Sequence, residues 1–254
     1  MKNKQNEDLK TGVSPKSEKT PLADAVKKYK EDSRISFHVP GHKSAETFTR
    51  LRSYFGSEVL DADLTELPGL DDLHHPSGVI AEAERLAAEV FGAEETFFLV
   101  NGTTSGMTAA IAAAATEENT VILERQSHES TSRGLVLSGA APCYLYNSFD
   151  QKRGLFSGIS CEDVKNALQR CHSPAAVVLT HPSYYGTYSD LRTITEVAHQ
   201  AGAVVIVDEA HGAQLAFTEQ QGIPSALETG ADIVVQSTHK MLGSLTQSSM
   251  LHVQ

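Results

Sequence analysis

From Thr96 onward the chain alternates two kinds of hydrophobic spacing. Short continuous apolar runs, Thr96–Val100, Thr120–Glu124, Pro142–Tyr146, Ala175–Thr180, Ala203–Val207 and Asp232–Gln236, read as strands. Between them, apolar residues recur three or four apart over Thr104–Ala115, His128–Leu137, Cys161–Arg170 and Leu191–Ala201, which read as helices. The strand runs are rich in Val, Ile and Leu and lack the in–out alternation of a half-wet strand, so both faces of the sheet are predicted to be covered. Strand–helix repetition of this kind predicts an α/β fold with a three-layer, mostly parallel sheet. Ligands in such sheets sit beyond the carboxyl ends of the strands. Asn101, Glu124, His181, Asp208 and Ser237 stand at those ends, with His128 and Lys240 a few residues further on. A last run, about Ser249–Val253, reads as one more strand.

The first third of the chain is less regular. Residues 1–20 are polar and lysine-bearing, and a disordered tail is expected there. Pro21–Tyr29 places Leu22, Ala25, Val26 and Tyr29 on one helical face. Residues 37–43 and 67–72 each hold a Pro-Gly pair and predict turns. Gly78–Phe91 predicts a helix. The expected organisation is a tail (1–20), an N-terminal segment (21–75) and a ligand-binding large domain (76–254).

Composition narrows the function classes. Hydrophobic residues make up 40% of the 254 and charged residues 21%, as in a soluble globular protein. No run of about 18 apolar residues is present and the start has no apolar signal core, so neither a membrane span nor secretion is expected, and a cytoplasmic location is. The three cysteines, Cys143, Cys161 and Cys171, are odd in number and lack CxxC spacing, which predicts reduced thiols. His38, His42, His74 and His75 fit no zinc spacing, so no metal site is expected. The net charge is −11; residues 1–30 hold eight lysines and four acids, a net +4, which leaves −15 on the rest. An acidic body disfavours nucleic acid and suits a cationic small molecule.

Two runs concentrate chemistry. One is Val205–His211, a buried strand ending in Asp208; the other is Ser237-Thr238-His239-Lys240, whose lysine lies 32 residues after Asp208. A lysine able to form an imine, an acid to keep a pyridine nitrogen protonated, and hydroxyls with a histidine for a phosphate are what pyridoxal 5'-phosphate (PLP) requires. Each residue also has a plainer reading. Asp208 meets a cation or caps the next turn. Lys240 is a site residue or a solvent lysine, the dense small polar residues up to Ser249 favouring the first. His128 lies on a cofactor ring or bonds locally at a helix start. Gly102-Thr103-Thr104-Ser105-Gly106 is a phosphate cradle at a helix N-terminus or an ordinary capped turn. This loop matches neither GxGxxG nor GxxxxGK[ST], which argues against dinucleotide and Walker-type sites and against a helicase reading of VDEAH. His181–Gly186 forms a pocket wall or a turn.

The runs FHVPGHK (37–43), LPGLDD (67–72), NGTTSG (101–106), SHES (127–130), HPSYYGTY (181–188), VDEAHG (207–212) and VQSTHKMLGSLTQSS (235–249) resemble, in type and order, those of the Orn/Lys/Arg decarboxylase family, from about residue 20 to 254. The resemblance implies the large domain of an aspartate-aminotransferase-like enzyme (PLP fold type I), of the compact subgroup. It implies Lys240 as the Schiff-base lysine, Asp208 on the pyridine nitrogen, His128 stacked on the ring and His211 near the imine. Thr103, Thr104, Ser237 and His239 would hold the phosphate, with Ser105 beside them in the cofactor-binding set. The implied reaction is decarboxylation of arginine, lysine or ornithine to the amine and carbon dioxide, in polyamine metabolism, by at least a homodimer. Another fold-type-I enzyme, such as an aminotransferase or lyase, and a non-catalytic PLP-binding remnant are the alternatives. Family members carry a C-terminal domain after the lysine site, so the resemblance implies a truncated form with impaired turnover for a chain with 14 residues beyond Lys240.

Overall fold

The computed structural model describes residues 19–254 except 33, 46, 47 and 219–221. The tail expected at 1–20 therefore lies, up to residue 18, outside the described residues. Two compact units form, one running to Leu86 and the other from Ala87 to Gln254.

In the first unit α1 (Pro21–Glu31) opens with proline in its first turn, keeps Asp24 near its start and Lys28 and Lys30 near its end, as the helix dipole favours. Lys30 pairs with Glu58 at 2.8 Å and Asp61 at 3.1 Å. Two short helices absent from the sequence expectation, α2 (Thr49–Phe55) and α3 (Ser57–Ala62), follow. The turn at 67–72 caps α4 (Val79–Phe91): the Asp71 carboxylate accepts the N–H groups of Ser77, Gly78 and Ile80 at 3.1, 2.7 and 3.0 Å. His38 bonds Tyr29 at 2.7 Å and His42 bonds Asp63 at 2.9 Å.

The second unit holds β1 (Glu95–Leu99), α5 (Gly102–Ala114), β2 (Thr120–Glu124), α6 (Glu129–Ser138), β3 (Ala141–Leu145), the small strands β4 (Phe149–Asp150) and β5 (Leu155–Phe156), α7 (Cys161–Arg170), β6 (Pro174–Thr180), α8 (Leu191–Gln200), β7 (Val204–Asp208), β8 (Ile233–Gln236), α9 (Thr238–Met241) and β9 (Ser249–Val253). The main sheet runs β1-β9-β8-β7-β6-β2-β3, with β9 antiparallel to both neighbours and the other pairs parallel.

The continuous apolar runs have the expected cause. Val121, Leu123, Val178, Ile206 and Val235 pack with Met107 and Ile111 of α5 and Leu135 of α6 on one face. Their alternates Ile122, Val177, Leu179, Val205, Val207 and Val234 pack with Val164 of α7 and Leu191 and Ile194 of α8 on the other. Three layers result, and the central strands have no wet face.

Strand β9 is pinned by a buried polar chain. The Thr96 hydroxyl bonds His252 Nδ1 at 2.8 Å, His252 Nε2 bonds Gln236 Oε1 at 3.1 Å, and Gln236 Nε2 donates to Glu209 Oε2 at 2.6 Å. Glu209 Oε1 accepts the Ala226 N–H, also at 2.6 Å. Since the Gln236 oxygen only accepts, His252 carries its proton on Nε2 and accepts from Thr96.

One expectation is corrected. Cys143 of β3 and Cys171, at the C-terminus of α7, form a disulfide, and Cys161 alone is free. α7 returns its end to the edge strand, so cysteines 28 apart in sequence become neighbours with Cα atoms 6.7 Å apart. An odd cysteine count carries no trace of that approach. Among the described residues no helix is long and apolar enough to cross a membrane.

Candidate active site

The carboxyl ends of β1, β2, β6, β7 and β8 surround a cavity of about 510 Å³. Asp208 lies on its floor. It ends β7 two residues after Ile206, and therefore faces the α5/α6 side. Its side chain is 5% exposed, and Oδ1 accepts the Ala210 N–H at 3.1 Å. Burial pushes the carboxyl above its usual range; the Ala210 hydrogen bond and the positive fields of Lys240 and His128 oppose this. The side chain thus caps the turn while facing the charge of Lys240.

Lys240 sits on α9, a single turn that begins where β8 ends. Its Nζ is 3.3 Å from His211 Nε2. Burial and then the Lys240 charge hold His211 below the usual imidazole range, which keeps the ring neutral and its Nε2 an acceptor for the ammonium. The ring of Tyr184 stands edge-on to His211, centroids 5.4 Å apart.

The 102–106 loop opens α5. Gly102 adopts φ +70°. At Gly106 a Cβ would lie 2.5 Å from Leu99 Cδ1 and 2.8 Å from Val235 Cγ1, so glycine here lets the helix descend onto the sheet. A hydroxyl chain ties the loop to β8 and β9. Ser249 Oγ donates to the Gln236 carbonyl at 2.7 Å, hence accepts from Thr103 at 2.8 Å, which in turn accepts from Ser237 at 2.5 Å. Thr103, Thr104, Ser237 and His239 all border the cavity. Ser105 does not; its hydroxyl donates to the Gly102 carbonyl at 2.8 Å. His239 Nδ1–H donates to the Ser248 carbonyl at 2.9 Å.

His128 is the N-cap of α6, accepting the Ser130 N–H on Nδ1 at 3.2 Å, and it also borders the cavity. His181 turns away: it is buried, and its Nε2 bonds the Pro224 carbonyl at 3.2 Å, while Ser183, Tyr184, Tyr185 and Thr187 of the same loop form wall. Sequence reasoning missed Asn147, Phe156 and Ser157, which line the cavity from the β4–β5 hairpin. The signal was present in FDQKRGLF (149–156): Asp150 accepts the Lys152 and Arg153 N–H groups and Gly154 takes φ +68°.

Comparison with known proteins bears on this geometry. The chain is 43% identical over 234 residues to the uncharacterized protein YaaO and 39% identical over 236 residues to arginine decarboxylase, both of Bacillus subtilis; each alignment covers 92% of this chain and 48% of the relative. Among solved structures, lysine decarboxylase A from Pseudomonas aeruginosa superposes with a TM-score of 0.80 at 28% identity, over 92% of this chain and 34% of that one. The chain thus spans about half the length of the curated relatives it matches. The family model described as "Orn/Lys/Arg decarboxylase, major domain" matches residues 20–254. With its fold, its lysine and acid at one cavity and this match over nearly all its length, the chain belongs to the Orn/Lys/Arg decarboxylase family.

Proposed function

We propose that this chain holds PLP in the cavity above Asp208 and serves the decarboxylation of a basic amino acid, arginine, lysine or ornithine. The observation that carries the reading is the pairing of Lys240 and Asp208 at one cavity, the lysine charge acting on the buried carboxyl. The residues fit the cofactor. A buried acid bonded to a single backbone N–H suits a protonated ring nitrogen. Thr104, Ser237, His239 and the N-terminus of α5 form a polar, N–H-bearing end for a phosphate. Lys240 lies within the same cavity.

When bound, PLP supplies an electron sink for the bond between the substrate Cα and its carboxylate. The chain's own residues do the rest. Asp208 would hold the proton on the ring nitrogen. His211 Nε2 accepts a hydrogen bond from Lys240 Nζ and holds that nitrogen in the cavity. His128, which borders the cavity, would cover one face of the ring and exclude water from it. Thr103 and Ser105 act at one remove, through the hydroxyl chain and the first turn of α5. Family membership and the acidic net charge support the basic substrate, and family membership supports a place in polyamine formation, a cytoplasmic location and at least a dimer, with residues 76–254 as the cofactor-binding domain.

The test uses the purified 254-residue chain with added PLP. The expected result is an absorbance band near the edge of the visible, lost in Lys240→Ala, with carbon dioxide released from one of the three amino acids. Keto-acid formation without gas would overturn decarboxylation in favour of transamination. Equal bands in wild type and Lys240→Ala would overturn the lysine assignment.

A further inference from the structure

We infer that Glu124 is a positioning residue that locks the β4–β5 hairpin in place as one wall of the cavity, acting through Asn147. Its link to the cofactor rests on the PLP reading above; its link to the hairpin does not.

Glu124 ends β2 and is 4% exposed. The β2–β6 pairing stops at Leu123 and Val178, so the N–H of Thr180 has no strand carbonyl to meet on that side. Glu124 Oε1 takes its place, accepting that N–H at 3.0 Å. Oε2 accepts from Asn147 Nδ2 at 3.4 Å, and the same Nδ2 donates to the Ser157 carbonyl at 2.9 Å. One carboxyl therefore joins the ends of β2 and β6 to both stems of the hairpin.

Two further features separate this from ordinary packing. Burial pushes Glu124 above the usual carboxylate range, with the neighbouring Asp208 adding to the shift, so a neutral side chain would be less costly here. Asn147 also leaves its Oδ1 buried without a partner, as does the Thr180 hydroxyl beside it. Asn147 thus keeps an orientation in which its own acceptor is wasted, because its NH₂ group bridges Glu124 and Ser157. Glu124 enforces that orientation. Phe156 and Ser157, which the bridge holds, line the cavity together with Glu124 and Asn147.

The experiment uses the full chain, with and without PLP. Glu124→Gln keeps the volume and an acceptor for Thr180 but sets one NH₂ against another at Asn147. Without PLP, trypsin is expected to cut the hairpin at Lys152 and Arg153 about tenfold faster than in wild type, at unchanged far-ultraviolet circular dichroism, because one buried hydrogen bond to a carboxyl no longer opposes local opening. With PLP, the circular dichroism of the cofactor band is expected to fall, since the ring loses a fixed wall. Asn147→Ala should reproduce both changes and carries the test if Glu124→Gln does not fold. Wild-type cleavage in both variants overturns the proposal. Faster cleavage with an unmoved cofactor signal overturns its positioning role. If wild type itself gives no cofactor band, the PLP reading fails, while the cleavage rates still decide whether Glu124 holds the hairpin.

Discussion

Lys240 Nζ and His211 Nε2 face each other at 3.3 Å, joining the single-turn helix after β8 to the loop after β7. The histidine is held neutral by burial and by the lysine charge. A neutral acceptor beside the lysine fixes where its nitrogen sits, and a nucleophile held in place attacks faster than a free one.

His211→Phe removes that acceptor while keeping a ring against Tyr184. The covalent band with PLP is expected to form about tenfold more slowly, because Lys240 Nζ loses the contact that holds it in the cavity. Stopped-flow absorbance checks this. An unchanged rate would remove His211 from the positioning of Lys240.

Asp208→Asn is expected to move stability and cofactor affinity in opposite directions. Burial raises the Asp208 carboxyl, so the folded chain gives up stability as pH rises above the unfolded carboxylate range. An amide removes that loss, and the apo variant should unfold at higher urea than wild type at pH 7. It cannot hold a proton on a ring nitrogen, so PLP should bind more weakly. Urea titration and PLP titration on the same preparation read both signs.

The buried chain from Thr96 to Glu209 predicts two pH limbs. Burial holds His252 down at about 4 and pushes Glu209 up to about 8. Below the usual imidazole value of 6.5 the unfolded chain binds a proton that folded His252 refuses, so the His252 contribution falls as pH drops toward 4, by about 3 kcal/mol. Above the usual carboxylate value of 4.5 the unfolded Glu209 is ionised while the folded one keeps its proton, so the Glu209 contribution falls toward pH 8, by about 5 kcal/mol; the two offset each other between 4.5 and 6.5. Glu209→Gln should remove the alkaline limb and uncover the acid one below 6.5, and His252→Asn should leave a fall that starts near 4.5. Urea midpoints at four pH values separate these outcomes from a uniform loss.

Gly106→Ala tests the descent of α5 onto the sheet. The added methyl would meet Leu99 and Val235 at 2.5 and 2.8 Å. Lifting the helix by a few tenths of an ångström should cost about 1–3 kcal/mol and weaken binding of PLP, whose phosphate end depends on that first turn. Thermal midpoints with and without PLP are the readout.

Much of this was legible because the signals are local. Val205–Val207 and Val177–Leu179 are apolar on both faces because helices cover both, and the Asp208 and Ser237 strand ends follow from those runs. The motifs around Lys240 and Asp208 named the family. What was not legible depends on distant partners. Nothing in Ser249–Val253 says that it runs antiparallel between β1 and β8. Nothing near Cys143 points to Cys171. His181 stands at a strand end like the residues that line the cavity, yet the Pro224 carbonyl claims it. Ser105 belongs to the motif, but its hydroxyl is spent on Gly102.

The place of β9 has a consequence for how the molecule comes into being. Glu95 pairs with Val253, and β1 meets β8 only across that last slat. During synthesis β1 leaves the ribosome early and must wait, its edge bare, until residues 249–253 follow. Assembly of the sheet therefore begins in its middle and closes only once residues 249–253 have emerged, a slow step of long loop closure during which the bare edge of β1 is open to other strands.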